Sequence, residues 1–317
     1  MNKDMPIYFL FRRMSQPLGL GFCMLCLSLA GCGDSTGHEG ADNDNHMVYH
    51  NDPSPEQETP LKFDDTFFDR PVPEVPDEFR WLLAAYPDHI SHVEKDTLYL
   101  KDGTDLVYYD GYRELNADRL LDQAAVEDIY WWDYHLTDKP LAQKGEDPGR
   151  IRPNFFFAKM YGEDKAAVLE NLTVITWLPS SANIPLRFTR VNGAADSLQA
   201  VSDELDQLPE LHKYLDDPAG TFNYRKIAGT DNLSAHSWGI AIDINLEFSH
   251  YWRWSSEFKQ GKPLRHRNQI PMEIVKIFEK HGFIWGGRWE HYDTMHFEFR
   301  PEFFVPEYRA YVEKYYR

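Results

Sequence analysis

Two short stretches, far apart in the chain, carry residue types suited to holding a divalent cation. In the segment Gly239-Ile-Ala-Ile-Asp-Ile-Asn245 the alternation is strict. Ile240, Ile242 and Ile244 share one face of an extended segment, and Gly239, Ala241, Asp243 and Asn245 share the other. The isoleucine face is core. The opposite face sets a carboxylate among small residues, which leaves space above a sheet. His236 precedes this segment, where a loop can carry its imidazole over Asp243. In Met295-His-Phe-Glu-Phe299, Phe297 and Phe299 point one way and His296 and Glu298 the other. If the two segments are neighbouring strands, His236, Asp243 and His296 meet at one point. Two imidazoles and a carboxylate make a zinc set, and three protein ligands leave a fourth position for water, as in catalytic rather than structural sites. Zinc lowers the pKa of its bound water to about 7, so hydroxide is available at neutral pH. A proton must still be taken and returned. Asp293, three residues before His296, is placed near the metal without being on it and is the candidate acid/base.

Taken together, Ser234-x-His236-x-x-Gly239-x-Ala241-x-Asp243 and Asp293-x-x-His296-Phe-Glu298 resemble the bipartite motif of the zinc peptidases that act on bacterial cell-wall peptides. That group contains D-alanyl-D-alanine carboxypeptidases and dipeptidases, and the L-alanyl-D-glutamate endopeptidases of phage lysins. The resemblance covers the C-terminal half, and the Asp147–Arg152 stretch (DPGRIR) is similar to the longer members. It implies Zn2+ as cofactor, held by His236, Asp243 and His296, with Asp293 as general base where some members have Glu. It implies peptidoglycan stem peptides as the partner. Ser234 is similar to a serine that holds a substrate carboxylate. Arg225 is the candidate for substrate binding and for stabilising the oxyanion, a role for a preorganised cation beside the metal; Arg187, Arg190 and Arg288 are its rivals. Glu298 and Asn245 are candidates to orient the ligands. D-alanyl-D-alanine carboxypeptidase action is the leading expectation. An L-alanyl-D-glutamate endopeptidase and a non-catalytic, zinc-containing wall-binding module are the alternatives.

The elements that must position these groups read as an irregular mixture of strands and helices, hence an α+β class. The expectation is a small antiparallel sheet with helices packed on one side and the zinc site on the open face. Thr97–Leu100 and the residues from Asp105 to Tyr109 flank an Asp102-Gly103 turn and form a hairpin. Helical spacing runs from Leu115 to Tyr130, and the residues from Phe155 to Asn171 read as one or two helices. Leu172 to Leu178 is a buried strand, Phe188 to Val191 a short one, and Ala195 to Leu208 an amphipathic helix. The domains expected are an accessory region over 61–150 and a zinc peptidase domain over 151–317.

The first residues look like an export signal. Lys3, Arg12 and Arg13 precede an apolar run, Leu18 to Leu29, and then Leu29-Ala30-Gly31-Cys32, which resembles a bacterial lipobox. Residues 1–31 are therefore expected to be a signal peptide, Cys32 the lipidated residue, and 32–60 an acidic tether too poor in aliphatics to order itself. That places the protein on a bacterial membrane, on the periplasmic face of the outer membrane. Cys23, Cys26 and Cys32 are the three cysteines, so the body must be stable without disulfides. A formal net charge of −18 excludes a nucleic-acid surface. Other histidines, such as His89, His212 and His281, are read as ordinary surface or core residues, and His291 as a candidate substrate contact. Trp252, Trp254, Trp285 and Trp289 line a groove or pack the core.

Overall fold

Thr104 donates its backbone N–H to Asp102 Oδ1 at 2.8 Å, and Gly103 takes a left-handed φ of +88°, so the turn read from the sequence forms. It joins β2 (Thr97–Leu100) to β3 (Asp105–Val107), with Leu98 opposite Leu106. A strand that the sequence did not announce, β1 (Ile90–Glu94), adds to the other edge of β2; only Ile90 in it is buried, so its alternation is weak. This computed structural model describes residues 77–95, 97–107, 117–139, 144–227 and 229–315. The expected signal peptide 1–31, Cys32 and the tether 32–60 lie outside the described residues. So does the start of the region 61–150.

Before this sheet comes α1 (Asp77–Ala85). The helical stretch expected over 115–130 is split into α2 (Ala117–Asp122) and a 3-10 turn, Val126–Tyr130. The split follows from Asp128, whose carboxylate accepts the Ala125 N–H at 2.9 Å and starts a new turn. The next stretch becomes two helices, α3 (Asn154–Tyr161) and α4 (Lys165–Asn171). Asp164 caps the second by accepting the Ala167 N–H at 2.9 Å.

A two-stranded sheet follows. β4 (Leu172–Trp177) pairs antiparallel with β5 (Ile184–Thr189). The strand expected from Phe188 to Val191 is only the end of β5, and Val191 begins a 3-10 turn. Pro185 hid the start, yet proline is tolerated on an edge strand. α5 (Ala194–Leu205) buries Leu198, Val201 and Leu205, and ends before Leu208.

The third sheet carries the site. It comprises β6 (Pro218–Gly220), β7 (Ala241–Asn245), β8 (Phe283–Trp285) and β9 (His296–Phe299), in the order β6-β7-β9-β8, all antiparallel. Two helices precede β8, α6 (Ser256–Lys259) and α7 (Met272–Lys280). The apolar face is closed by α7, whose Phe278 stacks on Phe297 with centroids 3.9 Å apart. The last described element is α8 (Pro306–Tyr315). The class is α+β, as expected, with three small sheets among the described residues rather than one. Side chains on both sides of residue 150 enter the same core: Tyr134 donates its hydroxyl to Glu279 at 2.7 Å, and Tyr86 donates to Glu302 at 2.8 Å. No described helix is long and apolar enough to cross a membrane.

Candidate metal centre

Register brings the polar side chains of two strands together. β7 and β9 pair Asp243 with His296 and Ala241 with Glu298, so both carboxylates and the imidazole share one face of the sheet. Gly220 of β6 lies opposite Asp243 on the other side. The next residue, Thr221, offers its carbonyl to His236 Nδ1 at 2.6 Å. That bond makes Nδ1 the protonated nitrogen and turns the Nε2 lone pair toward Asp243.

His236 sits in a 3-10 turn, Ala235–Trp238, which Gly239 ends with a φ of +67°. The sequence reading gave Gly239 the task of leaving space above the sheet. The structure places it before β7, where it supplies a left-handed turn that other residues adopt at a cost. Ala241 keeps the spatial role, facing Glu298 across the ladder.

The three groups converge. One ligand atom from each of His236, Asp243 and His296 lies within 4.8 Å of the others. Asp243 Oδ1 is 3.0 Å from His296 Nδ1, and Oδ2 is 3.2 Å from His236 Nε2. Yet His236 Nε2 is buried without a hydrogen bond. A buried nitrogen lone pair aimed at a carboxylate and a second imidazole is what a divalent cation would satisfy. The donor set fits zinc. The remaining nitrogen of His296, Nε2, is 3.3 Å from Glu298 Oε2.

Asp293 reaches the same place by a different route. The loop after β8 folds back so that the Asp293 N–H donates to the Gly286 carbonyl at 3.0 Å, and the His296 N–H donates to the Asp293 carbonyl at 3.2 Å. A Cβ on Gly286 would stand 2.5 Å from that carbonyl oxygen, so only glycine allows the approach. Asp293 Oδ1 is buried and has no hydrogen-bond partner. Burial, and then the like charge of Asp243, push its carboxyl up to about 7. Asp243 itself is held far below the usual carboxylate range, because the two histidines outweigh the cost of its burial. His296 is raised to about 10: burial alone would lower it, but Asp243 and Glu298 prevail.

The other expected residues scatter. Ser234 is buried at the start of the 3-10 turn and makes no capping hydrogen bond with its side chain. Arg225 is exposed, and its charge is felt by the Tyr251 hydroxyl. Arg288 is fully engaged elsewhere, by Glu279 and Thr137. Arg190 donates to the Glu170 carbonyl at 2.6 Å, and Arg187 is exposed on β5. Asn245 serves the backbone: its amide donates to the Lys213 carbonyl at 3.0 Å and its oxygen accepts the Glu247 N–H. Among the four tryptophans, Trp285 and Trp289 are core, Trp252 packs on His291, and Trp254 is half exposed.

The Asp147–Arg152 stretch supplies residues to which the sequence reading gave no role. Asp147 accepts from His291 Nδ1 at 2.8 Å and from Arg150 at 2.5 Å. The Arg150 charge acts on both Asp293 and Tyr251. Arg152 donates to Glu298 at 2.9 Å. Their similarity to longer relatives was the only signal in the sequence. Tyr251 gave no signal at all, although it forms a backbone bridge with Asp293.

Residues 228–299 match the family model described as D-alanyl-D-alanine carboxypeptidase. The matched span is well under half of the chain and contains both halves of the motif, from Ser234 to Glu298. The match bears out the resemblance to the cell-wall peptidases and supports a peptidase acting on cell-wall peptides. No curated protein and no solved structure matches the chain.

Proposed function

Starting from a chain whose residues 228–299 match the D-alanyl-D-alanine carboxypeptidase family model, we propose that it is a zinc-dependent peptidase of peptidoglycan stem peptides that removes a terminal D-alanine. The observation that carries this reading is the convergence of His236 Nε2, an Asp243 oxygen and His296 Nδ1 around one point, with the histidine nitrogen left unsatisfied. His236, Asp243 and His296 would hold the ion. When bound, zinc supplies Lewis acidity toward water and toward the scissile carbonyl.

The chain's own residues divide the remaining work. Asp293, buried beside the three ligands with Oδ1 unpartnered, takes the proton from the attacking water and returns it to the departing amine. Arg150, whose charge reaches Asp293, and Arg225, whose charge together with that of Arg253 reaches Tyr251, are the cations proposed for a terminal carboxylate or a developing oxyanion. Ser234 precedes His236 by two residues and is the proposed carboxylate contact. Cys32 is the proposed lipidation site, supported by the Leu29-Ala30-Gly31-Cys32 sequence.

The test is mass spectrometry of muropeptides digested by the zinc-loaded protein. Loss of one terminal D-alanine is expected, abolished by a chelator and by His296→Ala. Scission between L-alanine and D-glutamate would move the assignment to the endopeptidase alternative. No cleavage product at all, from a protein that retains zinc, would leave only a wall-binding module.

A further inference from the structure

We infer that Arg152 and Glu298 are positioning residues that fix the tautomer of His296, so that Nδ1 faces the cation. The inference rests on the zinc reading above. Glu298 is fully buried, and its Oε2 is shared: Arg152 Nη1 donates to it at 2.9 Å and His296 Nε2 at 3.3 Å. A carboxylate can only accept, and each ring nitrogen faces one, so the metal-free ring carries a hydrogen on both; a cation on the Asp243 side would displace the one on Nδ1, while Glu298 retains the one on Nε2. Nδ1 lies on the side of Asp243, 3.0 Å from Oδ1, where the cation would sit. An oriented carboxylate behind a ligand imidazole also raises the basicity of the ligand.

Arg152 holds the Glu298 carboxylate in place behind the ring. It comes from far upstream, outside the residues that match the family model. The Asp147–Arg152 stretch that carries it is itself anchored. Gly149 and Ile151 offer their carbonyls to the buried Arg300, whose Nη1 also lies 3.4 Å from Glu298 Oε1. Gly149 has a φ of +79°, and a Cβ there would stand 2.5 Å from Ile284 Cδ1 of β8. Arg152 Nε is buried without a hydrogen-bond partner.

The experiment measures zinc dissociation constants on the full chain, by competition with a chromophoric chelator. It compares wild type, Glu298→Gln, Arg152→Met, Arg152→Lys and His296→Ala, and follows urea unfolding of each zinc-free protein. Glu298→Gln is expected to weaken zinc binding about 10–100-fold, Arg152→Met to do the same, and Arg152→Lys to recover part of the loss. In zinc-loaded wild type, imidazole 15N spectra should show the proton on His296 Nε2. Wild-type affinity in both Glu298→Gln and Arg152→Met, with weakened binding in His296→Ala, would overturn this inference and leave the zinc reading standing. So would an affinity loss matched by equal destabilisation of the zinc-free protein with the Nε2 proton retained. If wild type takes up no zinc, or His296→Ala binds it equally well, the zinc reading itself fails. Should Arg152→Met not fold, the near-isosteric Glu298→Gln and Arg152→Lys decide the matter.

Discussion

Two clusters of buried charge share one core and are finished differently. Around Glu279, Arg288 donates Nε at 2.6 Å and Nη2 at 3.2 Å, Tyr134 donates its hydroxyl at 2.7 Å, and the remaining guanidinium nitrogen reaches Thr137. Around Asp243 the pairing does not close. His236 Nε2 and Asp293 Oδ1 lack hydrogen bonds, and the carboxyls of Asp243 and Asp293 oppose one another. Buried polar groups are nearly always satisfied, and leaving one open costs about 1–3 kcal/mol. Between these two clusters, that cost falls only on the one around Asp243. What separates a ligand site from a structural ion pair here is therefore incompleteness, not charge.

Four measurements would break or sharpen this contrast. The largest effect is expected from Asp293→Ala, which should slow muropeptide hydrolysis by about 10²–10⁴-fold. Because it removes a desolvated carboxyl beside Asp243, unfolding of the zinc-free protein should come no earlier; a lowered melting temperature would class Asp293 with the structural charges. Glu279→Ala should behave in the opposite way. It strands the buried Arg288 and should cost about 3–5 kcal/mol in urea unfolding, with zinc affinity of the folded protein unchanged. Next, zinc at 100 times its dissociation constant should add about 2.7 kcal/mol to wild type. The gain should vanish in His236→Ala and survive in Arg288→Lys; equal gains in both would erase the distinction.

The smallest effect concerns Asp147, which stands between the two cases: buried, and closed by Arg150 and His291. Burial would raise its carboxyl, but His291 and Arg150 prevail and hold it at about 2. The folded value lies below the unfolded value of about 3.9. Its contribution is thus present above that pH and lost as pH falls toward 2, and amounts to about 2 kcal/mol. Stability against pH, compared between wild type and Asp147→Asn, should show this part of the acid slope flattened in the variant. An unchanged slope would mean that Asp147 is no more closed than Asp293.

Strand alternation made much of the site legible. The segments 239–245 and 295–299 each show one apolar and one polar face, and strands form at Ala241–Asn245 and His296–Phe299. The Asp102-Gly103 turn and the amphipathic helix starting near residue 194 were equally plain. Harder cases had local causes. Pro185 masked the start of β5, and Asp128 broke a helical run that its spacing alone would continue. Arg288 stood as a rival to Arg225 because it is near the motif in sequence, but its nitrogens are engaged by Glu279 and Thr137. Arg150 and Arg152 could not be assigned, since nothing in a periodic pattern connects residue 152 to residue 298.

By itself, then, the chain of residues determined which side chains share a face, because the direction of a side chain follows from the backbone period within its own segment. Only the tertiary structure decided which faces meet. The pairing of Asp243 with His296, the loop held against Gly286 and the guanidinium behind Glu298 all depend on how distant segments bury their apolar sides together, a property of the whole core rather than of any stretch of it.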